Sequence, residues 1–333
     1  MQRKPRILVA GSFVMDLIAS TKRAPQSGQT LMGESFHMAP GGKGANQAAQ
    51  CARLGADTVM AGCVGGDLFA KGLLDATRAA GVDIRHVKTD PAACSGVGHV
   101  LLEITETSAQ NRITVIPGAN LSLKLEDVAW IRDAVGSFDM VLLQMEIPLE
   151  VNLQIAHWAR DAGVPVMLNP APAAPLCPDL VACADYLTPN EQEAAAESGR
   201  PLHTDKDTIS QTEILAVADV LRSKGARDIV ITLGRHGSAL IRANSVRFIP
   251  SAEMPHVTDP TAAGDSFVAA FAVGLCRGMA EEQALTFASH AAAITVSRMG
   301  AMPSLPTLEE VRLLLEDRSP NGFDLSAIRH SQL

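Results

Sequence analysis

Apolar residues along this chain fall into short unbroken runs, separated by longer stretches in which they recur with a helical period. The runs Ile7–Ala10, Thr58–Cys63, Met140–Leu143, Val164–Leu168, Tyr186–Thr188 and Ile229–Thr232 predict strands. The stretches Ala45–Leu54, Leu68–Ala80, Leu149–Ala162 and Ile214–Ser223 predict helices between them. Strand and helix in alternation imply an α/β fold, with a mainly parallel sheet covered by helices on both faces. Right-handed crossovers then place the strand carboxyl ends, and any ligand site, along one edge.

Two regions break the alternation. Phe13–Ser20 and Thr30–Met38 read as strands separated by the turn Pro25-Gln26-Ser27-Gly28. Val97–Thr105 and Arg112–Ile116 read as a second strand pair. Neither pair has a helix between its members, so both excursions, approximately 13–38 and 97–116, predict a small accessory sheet inserted in one domain as a lid. A plain extension of the main sheet is the competing expectation. The last third is helical, over Ala262–Arg277, Glu281–Ser297 and Leu308–Glu316. Residues 199–212 read as a polar surface loop, and the tail from Arg318 to Leu333 as loosely held.

Composition narrows the class. The 333 residues are 47% apolar and 19% charged, which supports a substantial core. A net charge of −8 argues against a general nucleic-acid binder. No run of apolar residues is long enough to span a bilayer, and Ile7–Gly11 is too short for a signal-peptide core, so a cytoplasmic location is expected. The six cysteines are scattered without a C-x-x-C pair and read as reduced core residues.

Chemistry concentrates at a few places. In Thr258-Asp259-Pro260-Thr261-Ala262-Ala263-Gly264-Asp265-Ser266-Phe267, small residues lead into an apolar helix. Such a start offers unpaired amides and the positive end of a helix dipole to an anion. Asp265 at the same spot suits a base that takes a proton from an attacking hydroxyl while the amides hold a phosphoryl group. A mere helix cap is the alternative.

Pro40-Gly41-Gly42-Lys43-Gly44-Ala45-Asn46-Gln47-Ala48-Ala49 puts three glycines before a helix. It is neither a Walker A loop nor G-x-G-x-x-G, and it reads equally as a tight turn. Lys43 and Asn46 donate hydrogen bonds that a polyol accepts. Asp16, just past the first strand, is suited to vicinal hydroxyls, or is an exposed turn residue. Glu146 follows Met140–Leu143, and Thr188-Pro189-Asn190-Glu191-Gln192-Glu193 follows another strand. Either could hold Mg²⁺ through waters; Glu191 and Glu193 also suit a helix dipole. Thr232-Leu233-Gly234-Arg235-His236-Gly237 reads as a turn that seats phosphates, or as a plain β-turn with a loop histidine.

In this order, and with the lid strands, these segments resemble the ribokinase-like family of sugar kinases, known as the PfkB family, over roughly residues 6–316. Pro40–Ala49 and Thr258–Phe267 look like its two signature regions, and Thr188–Glu193 like its Asn-x-x-Glu motif. Asn169-Pro170-Ala171-Pro172-Ala173 and Gly300-Ala301-Met302-Pro303-Ser304 are also in the family's wording. The resemblance implies a three-layer α/β/α sandwich with a small β-sheet lid, and ATP-dependent phosphorylation of a small sugar, D-ribose at its 5-hydroxyl. It implies Asp265 as base and Ala262, Ala263 and Gly264 as the anion hole. Asp16, Gly42, Lys43, Asn46 and Glu146 would bind the sugar. Asn190, Thr232, Gly234, Gly237, Gly264 and Ser289 would line the nucleotide site, with Glu193 supporting Mg²⁺ through water. A monovalent cation, K⁺, is implied at Asp259, Thr261, Thr295, Arg298, Gly300 and Ser304, several acting through carbonyls.

Two positions depart from the family pattern. Val14 stands where a sugar-contacting Asn is common, and Ser289 where His or Asn is frequent, with His290 next to it. Val14 keeps other pentoses, fructose-like sugars and nucleosides open as substrates. A sensor that binds sugar or nucleotide without catalysis is the reading from another class. The apolar lid positions Phe13, Leu17, Leu31, Val100 and Leu102 need cover, which a homodimer through the lids, or the lid's own domain, would provide.

Overall fold

The computed structural model describes residues 3–104, 109–204, 209–243, 245–254, 256–318, 323 and 325–328. Thr105, residues 205–208 of the polar loop and most of the tail lie outside them. Thirteen strands are described in chain order: β1 Arg6–Ala10, β2 Val14–Thr21, β3 Ser35–Gly41, β4 Asp57–Gly65, β5 Asp83–Asp90, β6 Gly96–Ile104 and β7 Ala109–Ile116 come first. β8 Met140–Leu143, β9 Val166–Leu168, β10 Tyr186–Leu187, β11 Asp228–Thr232, β12 Ser238–Arg242 and β13 Ser245–Ile249 follow. They form a nine-stranded sheet, ordered β13-β12-β11-β10-β9-β8-β1-β4-β5, and a four-stranded sheet, ordered β3-β2-β6-β7.

From β11 to β5 every pairing in the large sheet is parallel, and β12 and β13 add an antiparallel hairpin at one edge. Parallel strands buried on both faces explain why the strand runs are unbroken rather than alternating. Ile7, Val9, Met140 and Leu142 point into one core, with Phe267, Phe271 and Leu285 from the late helices. Leu8, Ala10, Val141 and Leu143 point into the other, with Val151, Ile155, Val217 and Leu221. Three layers result, as the family resemblance implies.

The hairpin β12–β13 and the edge strand β5 escaped the sequence pattern. β5 reads Asp-Ile-Arg-His-Val-Lys-Thr-Asp and is only half-buried, so it lacks the apolar run of an inner strand. Helix boundaries shift by a residue or a few: Gln211–Ser223 starts earlier than expected because Ser210 caps it, its hydroxyl accepting from the Glu213 amide.

The small sheet is separate from the large one, which rules out a plain extension. Its β2 pairs antiparallel with β3 and parallel with β6. Thr30–Glu34 precede β3 rather than belonging to it. Phe13 is not a lid residue: it precedes β2 and is fully buried in the main core. The Asn120 side chain clamps it there, accepting from the Phe13 amide and donating to its carbonyl, both at 2.8 Å. The tail also holds a correction, because Ile328 is buried in the same core and Arg277 donates to the Ala327 carbonyl.

Candidate active site

The polar residues singled out in the sequence gather at the carboxyl edge of the large sheet. Gly11 and Ser12 follow β1, Glu146 closely follows β8, Asn169 follows β9, Thr188 follows β10, and Thr232 ends β11. A cavity of about 210 Å³ opens there. Lys43, Asn169, Thr188, Asn190, Glu193 and Thr232 line it on one side, and Ala262, Gly264 and Asp265 on the other. This is where an open parallel sheet places ligands.

The helix Ala263–Cys276 begins at this cavity. Its cap residue is Ala262, left-handed at φ 61°, and no side chain caps it. The Ala263 amide bonds Pro260 and the Ser266 amide bonds Ala262, while the Gly264 and Asp265 amides between them make no hydrogen bond among the described residues. A Cβ placed on Gly264 would meet nothing within 4 Å. Two free amides, a helix dipole and open space make an anion-binding start.

Asp265 is therefore not the cap of its helix. Its carboxylate is buried and turned to the neighbouring helix Lys43–Arg53. Asn46 Nδ2 donates to Oδ2 at 2.9 Å, and Gln47 Nε2 donates to Oδ1 at 3.1 Å. The Asn46 Oδ1 atom is buried without a partner, an acceptor waiting for a hydroxyl donor. Glycines make the close approach of this helix feasible. Gly42 has φ 97°, and a Cβ there would lie 2.7 Å from the Val14 amide nitrogen. A Cβ on Gly44 would lie 2.5 Å from that of Ser12.

Across from this helix stand two more carboxylates. Glu146 accepts from the Ser12 hydroxyl, and from the Lys43 amide at 3.2 Å. Burial raises its pKa, against the opposing pull of Lys43 and Ser12. Asp16 lies within β2, not in an exposed turn, and packs over bare backbone: a Cβ on Gly98 would sit 2.1 Å from its Oδ1. Its pKa is pushed up to about 7 by burial first, then by Glu146, Asp259 and Asp265. Burial would lower the Lys43 ammonium, but Asp265, Glu146 and Glu193 outweigh it and hold its pKa above the ordinary value. A cation amid carboxylates, with Asp16 of the small sheet near them, suits a polyol on one side and phosphates on the other.

Comparison with known proteins agrees with this geometry. The sequence profile of the pfkB family carbohydrate kinases matches residues 4–308. The chain belongs to that family. It is 39% identical to a ribokinase of Schizosaccharomyces pombe over 316 residues, 92% of this chain and 96% of the relative. It is 37% identical to a ribokinase of Bacillus subtilis, over 93% of this chain and 99% of the relative. The fold superposes on Arabidopsis thaliana ribokinase complexed with ribose and ATP at a TM-score of 0.84, with 32% identity, covering 94% of this chain and 99% of the other.

In this kinase Asn190 and Glu193 form a capping box at the start of helix Glu191–Ser198. The Asn190 amide donates to Glu193 Oε2, and the Glu193 amide to Asn190 Oδ1, both at 2.8 Å. Both also line the cavity, so capping does not remove them from it. Burial is the main cause of a raised Glu193 pKa. The turn after β11 reads more simply. Gly234 and Gly237 have φ 53° and 85°, and a Cβ on Gly237 would lie 2.0 Å from the Ile249 carbonyl oxygen, so hairpin packing alone demands that glycine. His236 Nε2 lies 3.1 Å from the Thr204 carbonyl oxygen. Ser289 and His290 are buried and do not line the cavity; His290 Nδ1 lies 2.8 Å from the Thr286 carbonyl oxygen, and burial lowers its pKa.

Of the residues expected around a monovalent cation, Asp259, Thr261 and Gly300 are brought together just before the helix Ala263–Cys276. Asp259 accepts from the Thr261 amide through Oδ1 and from the Gly300 amide through Oδ2, each at 2.9 Å. Thr295 is tied to Ser266 through its hydroxyl, Arg298 pairs with Glu310, and Ser304 donates to the Ala301 carbonyl. Sequence reasoning gave no role to Ser12, Gln47, Gln144 or Asn169, whose amides and hydroxyl organise the site. Their signal was position, on a helix start or after an apolar strand, and for Gln47 and Asn169 also their place in segments that resemble the family's.

Proposed function

We propose that this kinase transfers the γ-phosphoryl group of ATP to the primary 5-hydroxyl of D-ribose. The observation that carries the reading is the buried Asp265 carboxylate, held by two amide donors beside an uncapped helix start with two unpaired amides. The base takes the hydroxyl proton as the oxygen attacks in line. Ala262, Ala263 and Gly264 shape the hole whose backbone amides take up the charge of the transferring group. Asp16, Gly42, Lys43, Asn46 and Glu146 hold the sugar, and the small sheet excludes water from it.

Asn190 and Thr232, which line the cavity, face the nucleotide. Glu193, which lines the cavity, would support the Mg²⁺ that accompanies ATP through waters, and the ion would offset the charge of the phosphates. K⁺ fits the oxygen-rich loop around Asp259, Thr261, Thr295, Arg298, Gly300 and Ser304, where its charge would steady the anion hole.

The lid also supports a homodimer. Ile113 and Val115 share the sheet face of Asp16, through the pairings Val100–Ile113 and Gly98–Val115, and are 52% and 50% exposed. A second copy's lid would cover them. Among the described residues no helix is long and apolar enough to cross a membrane.

A deoxypentose is the second reading. Val14 is buried two residues from Asp16 on the same face and offers no side-chain hydrogen bond. An ADP-release assay with ribose, deoxyribose, fructose and nucleosides, with and without K⁺, tests both. Ribose should give the highest kcat/KM. A higher value for deoxyribose would favour the second reading, and ligand binding without ADP release would overturn both.

A further inference from the structure

We infer that Gln47 is a positioning residue for the base, set by a chain of buried amides that reaches three strand ends. The inference rests on the assignment of Asp265 as base. Gln47 is fully buried and does not line the cavity, so it touches neither sugar nor nucleotide there.

The direction of every bond in the chain follows from one obligate acceptor. The Thr188 backbone carbonyl can only accept, and Asn169 Nδ2 donates to it at 2.8 Å. Asn169 therefore turns Oδ1 to Gln47, which must present its Nε2 there, at 3.2 Å. The second proton of that nitrogen then points at Asp265 Oδ1, at 3.1 Å. On the other side Gln47 Oε1 accepts from Gln144 Nε2 at 2.6 Å. Asn152 Nδ2 in turn donates to the Gln144 carbonyl at 2.6 Å. Gln144, Asn169 and Thr188 directly follow β8, β9 and β10, so the rigid sheet edge fixes the rotamer of Gln47.

Asn46 and Gln47 thus grip opposite oxygens of Asp265. Asn46 keeps a free acceptor towards the sugar side, whereas every polar atom of Gln47 is spent inside the protein. Its work is orientation: it holds the carboxylate plane so that one lone pair faces the attacking hydroxyl. Misplacing a reacting group by about 1 Å can cost ~10² in rate.

The test uses Gln47→Met, which keeps length but removes both amide functions, and Gln144→Met, which frees Gln47 Oε1 without touching the base. In each, kcat should fall, by ~10–100-fold for Gln47→Met, while KM for ribose and for ATP stays within about twofold. In the Asp265→Asn background Gln47→Met should have no further effect, because the group it orients is gone. An unchanged kcat in a folded Gln47→Met enzyme overturns the inference. So does a loss that is undiminished in the Asp265→Asn background, or one that falls on KM alone. Near-normal turnover by Asp265→Asn itself would instead sink the assignment of the base, so the two failures are told apart. If Gln47→Met does not fold, Gln144→Met carries the same comparison.

Discussion

Asn46 and Asp265 stand 219 positions apart in the chain, yet Nδ2 of one donates to Oδ2 of the other at 2.9 Å. Each sits in the first turn of its own helix, and the two helices pack side by side over the sheet edge. The contact joins the two glycine-rich segments into one site. The proposed base needs this: its carboxylate must be dry, oriented and within reach of a hydroxyl.

Asp265→Asn should lower kcat by at least ~10², the usual range for a general base. The sugar should still bind, since Asp16, Lys43 and Glu146 remain. Steady-state kinetics and calorimetric titration with ribose separate the two effects.

Two glycines should respond in opposite ways to alanine. Gly264→Ala meets open space and sits in a helix, so stability should hold or rise by up to ~1 kcal/mol. Its methyl group enters the anion hole, so turnover should fall by ~10² or more, as when one such donor is lost. Gly42→Ala meets the Val14 backbone at φ 97° and should destabilise by more than ~1 kcal/mol. Thermal unfolding and kinetics on both variants check the contrast.

Asp16 should give the apoenzyme an unusual pH dependence. Its folded pKa of about 7 exceeds the ordinary 3.8, so between those values the native state keeps a proton that the unfolded chain has released. Stability from this group is therefore greatest at low pH and declines as pH rises towards 7. Hydroxyls donate to the carboxylate form, so ribose affinity should rise through the same window, by at most about tenfold per unit. Asp16→Asn should flatten the decline in Tm and weaken ribose binding near neutral pH and above, where the wild-type carboxylate is ionised, with the difference shrinking as pH falls. An affinity that falls as pH rises would contradict the assignment.

The proposed lid dimer should depend on the exposed apolar pair on the Asp16 face. Ile113→Glu would place a charge at a contact that needs apolar cover, and light scattering should report a shift towards monomer. An unchanged mass would remove this face from the interface.

The sequence legibly carried the central strands, because an inner parallel strand must be apolar on both faces: Met140–Leu143 was bounded to the residue. It carried the helix start of small residues before Asp265 for a similar reason, since such a start is a local motif. It did not carry β5, whose edge position relaxes the apolar requirement, nor the burial of Ile328, which depends on what the tail folds against. The alternative of a cap role for Asp265 failed on a tertiary fact, the arrival of Asn46 and Gln47 from another helix to bind its carboxylate.

What the sequence by itself determined was therefore local: strand and helix runs, glycines before helices, and which carboxylates stand at strand ends. Which amides meet which carboxylate was decided only by tertiary structure. Hydrogen bonds between side chains such as Gln47, Gln144 and Asn169 leave no period in the chain, because their partners come from different elements and their geometry exists only once the sheet edge has formed.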